Sequence, residues 1–294
     1  MKDHDQPSPQ KHCWSLDGLT YASLAWGPAD GRPVLATHGW MDHADSFREL
    51  GPRLTDCRVV ALDLSGQGLS DHRSPDATYN LWDDLPQMAA LLDTLGWEKC
   101  TLVGHSRGAN INSLFAAAQP NRVNAVIALD ALVPDPVADT AVVDTLRAFI
   151  EDTRQQTTRP RRSFTSKEDY ITRRSERRNS RQTAEALVDR AVVETPDGFR
   201  TRADARLFAS SAMKLTRPQV EAVLRSLTMP VLNIWADKGL PAYTDWPAEA
   251  RRLAESLAPD YEALEIPGDH HAHLDPAGAQ RIATAILDFL ARKT

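Results

Sequence analysis

Between residues 19 and 132, short apolar runs alternate with stretches of helical period. LTYASLAWG (19–27) alternates as a strand does and ends at the turn GPADG. PVLATHGW (33–40), RVVALDLSG (58–66), CTLVGHS (100–106) and AVIALDAL (125–132) are apolar almost throughout, the pattern of strands covered on both faces. Within 81–95, Leu81, Leu85, Met88, Leu92 and Leu95 recur at helical spacing as one stripe, and Pro86 must either open that helix or kink it. Strands alternating with helices predict an α/β layer fold with a largely parallel sheet.

After Leu132 the pattern changes. VPDPVADT is proline-rich, and roughly 90 residues follow that are polar, helical in period and almost free of strand-like runs. Strand character resumes at MPVLNIWAD (229–237), followed by a helix at 245–257, a strand YEALEIPG (261–268) and a last helix carrying Ile282, Ile286, Phe289 and Leu290 on one side. The pattern predicts a core of residues 1–132 and 228–294 interrupted by a helical insertion at 133–227. An insertion of that length between two strands of one sheet is expected to roof a site as a lid.

Composition narrows the class without choosing the chemistry. With 42% apolar and 25% charged residues in 294, the chain can bury a full core, and no internal repeat or low-complexity tract interrupts it. No apolar run reaches the roughly 18 residues needed to span a bilayer, and MKDHDQPSPQ lacks a signal-type apolar region, so a cytoplasmic protein is expected. Cys13, Cys57 and Cys100 are odd in number and form no CxxC pair, which points to reduced thiols rather than disulfides or zinc. A net charge of −6 argues against a nucleic-acid partner. Against that balance stands a basic run, Arg159, Arg161, Arg162, Lys167, Arg173, Arg174, Arg177, Arg178 and Arg181, read as a solvated helix face; an inward-facing patch for an anionic ligand is the alternative.

LVGHSRGAN (102–110) concentrates the chemistry. Gly104-His105-Ser106-Arg107-Gly108 fits G-x-S-x-G between an apolar strand and a helix, where a strained turn projects the serine hydroxyl above the sheet and the flanking positions need little side chain. The helix beginning at Arg107 aims its free N–H groups at that point, so the backbone of the arginine is its useful part. A serine needs a base, and EIPGDHHAHLDP offers His270, His271 and His273 after the last strand. Three such histidines raise the question of a metal, but neither HExxH nor paired cysteines accompany them, and none is expected. THGWMDHADSF follows an earlier strand and offers the N–H of Trp40 as a second oxyanion donor beside that of Arg107.

HGW (38–40), DLSGQGLS (63–70), GHSRGA (104–109) and GDHHAHL (268–274) resemble the α/β-hydrolase superfamily. HGWMDHADSF, the stretch from FTSKEDYITRR through FRTRADARL, and PVLNIWADKG are similar to its serine hydrolase-like family, and the resemblance runs from about residue 15 through nearly the whole chain. It implies an α/β-hydrolase fold: a mostly parallel sheet with helices on both faces and a helical cap. It also implies that Asp63 is a structural turn residue and that the base is His270, with His271 the alternative; His273, His38 and His43 are read as structural or pocket residues. The superfamily usually carries its acid in a loop like G-x-x-D after the seventh strand, where this chain reads Ala236-Asp237-Lys238-Gly239. Asp130, after the sixth strand, is the expected acid, since it ends a strand at the same edge as Ser106. Asp237 is the alternative.

These residues predict a cofactor-free serine hydrolase that cleaves an ester or related small acyl compound through an acyl-enzyme. Serine at 106 argues against haloalkane or epoxide opening, which needs a carboxylate nucleophile. A small-molecule binding protein on a hydrolase scaffold is the competing reading, supported by glycine at 239.

Overall fold

The structure is a computed structural model that describes residues 8–158, 162–176 and 179–294. The first part of the chain forms β1 (Gln10–Leu16), β2 (Leu19–Trp26), β3 (Arg32–Thr37), β4 (Cys57–Leu62), α1 (Leu85–Thr94), β5 (Cys100–His105), α2 (Arg107–Ala118) and β6 (Val123–Leu129). Then come α3 (Val142–Thr158), β7 (Ser163–Phe164), α4 (Lys167–Ser175), α5 (Arg181–Ala191), β8 (Val192–Thr195), β9 (Gly198–Thr201) and α6 (Arg217–Arg225). The chain closes with β10 (Val231–Lys238), α7 (Trp246–Leu257), β11 (Tyr261–Asp269) and α8 (Pro276–Lys293).

Eight strands make one sheet in the order β1-β2-β4-β3-β5-β6-β10-β11. Only the β1–β2 and β2–β4 pairings are antiparallel; the rest of the sheet is parallel. The central strands β3, β5 and β6 are buried along nearly their whole length because helices cover both faces, which is why their sequences are apolar without alternation. On one face Met88, Leu91, Ile111 and Phe115 pack from α1 and α2; on the other Phe47, Ile282, Ile286 and Phe289 pack from α8 and the loop after β3. Each such side chain contributes about 1.5–3 kcal/mol by leaving water. Among the described residues no helix is long and apolar enough to cross a membrane.

Three local features are left open or unseen along the chain. Pro86 opens α1 instead of kinking it: it lies in the first turn, where its missing N–H costs nothing, and Leu81 falls outside the helix. β1, with its mixed polar and aromatic sequence QKHCWSL, gives no clear periodic signal, yet it pairs along its full length with β2. The segment between β6 and β10 is not purely helical either. β7, β9 and β8 form a three-stranded antiparallel sheet whose strands of two to four residues are too short to register as a period. α4 and α5 pack with it around Phe164, Tyr170, Ile171, Ala184 and Val188, whereas Val220 and Leu224 of α6 join the main core beside α2.

The basic run divides. Arg159, Arg161, Arg177 and Arg178 lie outside the described residues. Lys167, Arg173 and Arg181 make exposed ion pairs with Asp189, Asp169 and Glu168, as a solvated face requires. Arg174 instead turns inward to Asp42, and farther along α5 Arg190 reaches buried Asp63 at 2.5 Å. Asp63 also accepts the N–H groups of Ala44 (2.6 Å) and Leu69 (2.7 Å), the contacts of a turn-holding residue.

Candidate active site

β5, β6, β10 and β11 run parallel, so the residues that follow them gather at one edge of the sheet. Ser106 sits between β5 and α2 with φ 52° and ψ −118°, a conformation that L-residues rarely adopt and that costs on the order of 1–3 kcal/mol. Its own N–H bonds Leu129 O at 3.0 Å, which locks the turn to the end of β6. The small neighbours are obligatory: a Cβ at Gly104 would lie 2.6 Å from Ala109 Cα, and one at Gly108 would lie 2.1 Å from Thr37 O. Among the described residues the Ser106 hydroxyl has no hydrogen-bond partner, so nothing competes for it at the half-buried turn.

The amides of Trp40 and Arg107 likewise have no acceptor among the described residues, while Met41 N–H bonds Gln67 Oε1 at 2.8 Å and Ala109 N–H bonds Ser106 O at 3.0 Å. The Arg107 guanidinium turns away to Tyr79 O at 3.2 Å, and burial lowers its pKa. The Trp40 ring lies edge-on to Phe208, its centroid 5.0 Å away, and its indole N–H bonds Leu207 O at 3.0 Å. Residues of the segment between β6 and β10 thus border the loop that carries the Trp40 amide.

His270 Nδ1 lies 2.6 Å from Asp130 Oδ2. Asp130 is buried and held in a positive-φ conformation (φ 52°), and its carboxylate accepts Ala236 N–H at 3.0 Å and Leu240 N–H at 2.7 Å. Three donors thereby fix both oxygens. Asp237 is exposed and its Oδ1 accepts Gly268 N–H at 2.9 Å, bracing β10 to β11; among the described residues it makes no hydrogen bond to His270. His271 turns inward, with Nε2 3.1 Å from Asp42 Oδ2. His273 Nε2 meets Ser46 Oγ at 2.9 Å, His43 Nε2 meets Leu187 O at 2.7 Å, and His38 takes Leu64 N–H on Nε2 at 3.0 Å, so all three are engaged in buried packing.

Two groups at this edge escaped sequence reasoning. His105, whose ring centroid is 4.6 Å from that of His270, meets the His270 carbonyl through Nε2 at 2.8 Å, and its Nδ1 faces Asp42 Oδ2 at 3.5 Å. A carbonyl only accepts, so Nε2 carries the proton. Asp42 is the common point of His105, His271 and Arg174. Burial by itself would raise its pKa, but His271, the two imidazole contacts and the guanidinium hold it well below the usual carboxylate range. The only available signal was its place in HGWMDH, four residues after His38. The atoms of Asp42, His105 and His271 lie within 4.8 Å of one another, a spacing that suits a metal ion, yet the Arg174 guanidinium already neutralises the carboxylate at 2.5 Å. Beside the Asp130 loop lies a cavity of ≈ 190 Å³ lined by Asn110, Leu132, Trp235, Leu240 and Trp246, among others.

A family model described as alpha/beta hydrolase fold matches residues 32–277. A serine hydrolase-like protein of Danio rerio is 32% identical over 274 residues, covering 90% of this chain and 83% of that protein. Serine hydrolase-like protein 2 of Homo sapiens is 29% identical over 287 residues, covering 92% and 90%. Among solved structures, that of a hypothetical protein from Pseudomonas aeruginosa PAO1 superposes with a TM-score of 0.90 at 34% identity, covering 96% of this chain and 99% of the other.

Proposed function

The chain belongs to the α/β-hydrolase family, among its serine hydrolase-like proteins, and we propose on that footing that it hydrolyses esters or related small acyl compounds through Ser106, His270 and Asp130. The observation that carries this reading is the 2.6 Å contact of His270 Nδ1 with a carboxylate that two backbone amides already hold. Such a carboxylate keeps the Nδ1 proton on the imidazole, leaves Nε2 as the base and stabilises the imidazolium when it forms.

His270 Nε2 takes the Ser106 proton as Oγ attacks the acyl carbonyl, the two groups coming into hydrogen-bond reach as substrate binds. The N–H groups of Trp40 and Arg107, free of other acceptors, receive the developing oxyanion. His270 then gives its proton to the leaving alcohol, and water, activated by the same base, releases the acid and restores Ser106. No cofactor enters this sequence. Residues 133–227 act as the cap, in which Leu207 and Phe208 brace Trp40.

A binding protein on the same scaffold drew its support from the glycine at 239. That support weakens, because the Asp130 carboxylate stands against that glycine. The test is labelling with a fluorophosphonate probe beside turnover of an ester panel of graded chain length. Wild type should label at Ser106 and hydrolyse short esters, and Ser106→Ala should do neither while keeping its circular dichroism. Wild type that neither labels nor turns over, or an active Ser106→Ala, would overturn the proposal.

A further inference from the structure

We propose that Arg174 and Asp42 form a positioning pair that ties the oxyanion loop to the base loop, so that the segment between β6 and β10 helps to assemble the catalytic centre as well as covering it. The inference rests on the serine-hydrolase reading above.

Arg174, on α4, enters the core with its guanidinium forked. One nitrogen, Nη2, bonds Asp42 Oδ1 at 2.5 Å; the other, Nη1, bonds Met41 O at 3.0 Å and Tyr170 Oη at 2.9 Å. Met41 and Asp42 directly follow Trp40. Met41 has φ 62°, which a residue with a side chain holds only under constraint. Both of its peptide groups are gripped by side chains, the N–H by Gln67 Oε1 at 2.8 Å and the carbonyl by Arg174. Without the second grip the loop can relax toward negative φ and swing the Trp40 amide away from Ser106.

The other oxygen of Asp42 faces the base loop. Oδ2 lies 3.1 Å from His271 Nε2 and 3.5 Å from His105 Nδ1, and His105 holds the His270 carbonyl at 2.8 Å. His270 is therefore held twice, its ring by Asp130 and its backbone through the adjoining His271, whose Nε2 meets the Asp42 carboxylate that Arg174 grips. Asp42 is 2% exposed, and a buried ion pair of this kind is often replaced by apolar groups without loss of stability, so geometry is the better account of its presence. Lysine cannot substitute, since one ammonium does not reproduce the fork.

The experiment compares the full-length wild type with Arg174→Ala, Arg174→Lys, Arg174→Gln and Asp42→Asn. It measures kcat and KM on an ester that the wild type cleaves, the rate of fluorophosphonate labelling, and the melting temperature. Displacing the loop by about 1 Å should lower kcat and the labelling rate of Arg174→Ala by about 10²-fold, with KM within about threefold. Millimolar guanidinium chloride should restore part of that loss in Arg174→Ala and none in Arg174→Lys, a response that a purely structural arginine would not give. Folded Arg174→Gln or Asp42→Asn with wild-type kcat would overturn the inference, as would an effect confined to KM. An inert wild type would refute the serine-hydrolase reading itself; an active wild type with unchanged variants would refute the positioning pair alone.

Discussion

The carboxylate of Asp130 fills the space beside Gly239: a Cβ at position 239 would lie 2.2 Å from Asp130 Oδ2. Gly239 has a negative φ (−86°), and the neighbouring carboxylate leaves no room for a side chain there. In the proposed triad, an acid after β6 is exchanged for one after β10: the Asp130 carboxylate occupies the place that a side chain at 239 would take.

Gly239→Ala should therefore act on catalysis through Asp130. The added methyl pushes the carboxylate off His270 Nδ1 and off the Leu240 amide. We expect kcat to fall by about 10²-fold with little change in KM, as measured on a short ester. Wild-type turnover in this variant would break the link between the two positions.

The exchange should also run in reverse. Asp130 already has a positive φ (52°), so glycine is accommodated there, and Asp130→Gly should lose roughly 10³–10⁴ in kcat. Adding Gly239→Asp returns a carboxylate to the vacated space. The double variant is expected to exceed Asp130→Gly at least about tenfold, consistent with the spread of triad-acid effects. Equal rates would mean that the loop after β10 cannot present an acid to His270.

Acid should destabilise the protein through its buried imidazoles. Burial pulls His43 and His105 from the ordinary 6.5 down to about 4, and it shifts His38 and His273 in the same direction. At pH 5 His43 and His105 are mostly neutral when folded and protonated when unfolded. The unfolded chain then binds more protons, so stability is lost as pH falls from about 6.5 to about 4. For His43 and His105 together, unfolding at pH 5 should take up about two protons, read from the slope of unfolding free energy against pH in urea. His43→Gln should remove about one of them. A urea midpoint unchanged between pH 7 and 4 would contradict neutral burial of these side chains.

Much of this molecule was legible along the chain. The apolar runs at 33–37, 57–62, 100–105 and 123–129 are buried strands, because a strand covered on both faces must be apolar at every position. The strand-turn-helix at Ser106 was visible too, since the elbow's demand for small residues at 104 and 108 is met within five residues. These are local rules, and the sequence by itself determined the parallel strands of the sheet, the position of the proposed nucleophile and the loop that carries the histidines.

What lay beyond it required distant parts to meet. Asp130 and Asp237 are both carboxylates near strand ends, and local pattern ranks them poorly. Tertiary structure separates them, because one meets His270 across 140 positions while the other turns to the Gly268 amide. Arg174 belongs to a run of basic residues that reads as solvent-facing, and three neighbours in that run do face solvent. Its burial follows from α4 packing over a carboxylate 132 positions earlier, which leaves a charge in the core that only a guanidinium can meet. Periodicity records how much of a residue is buried, not which distant atom it finds there, so the partners of Asp42, His105 and Asp130 were decided only when the chain closed on itself.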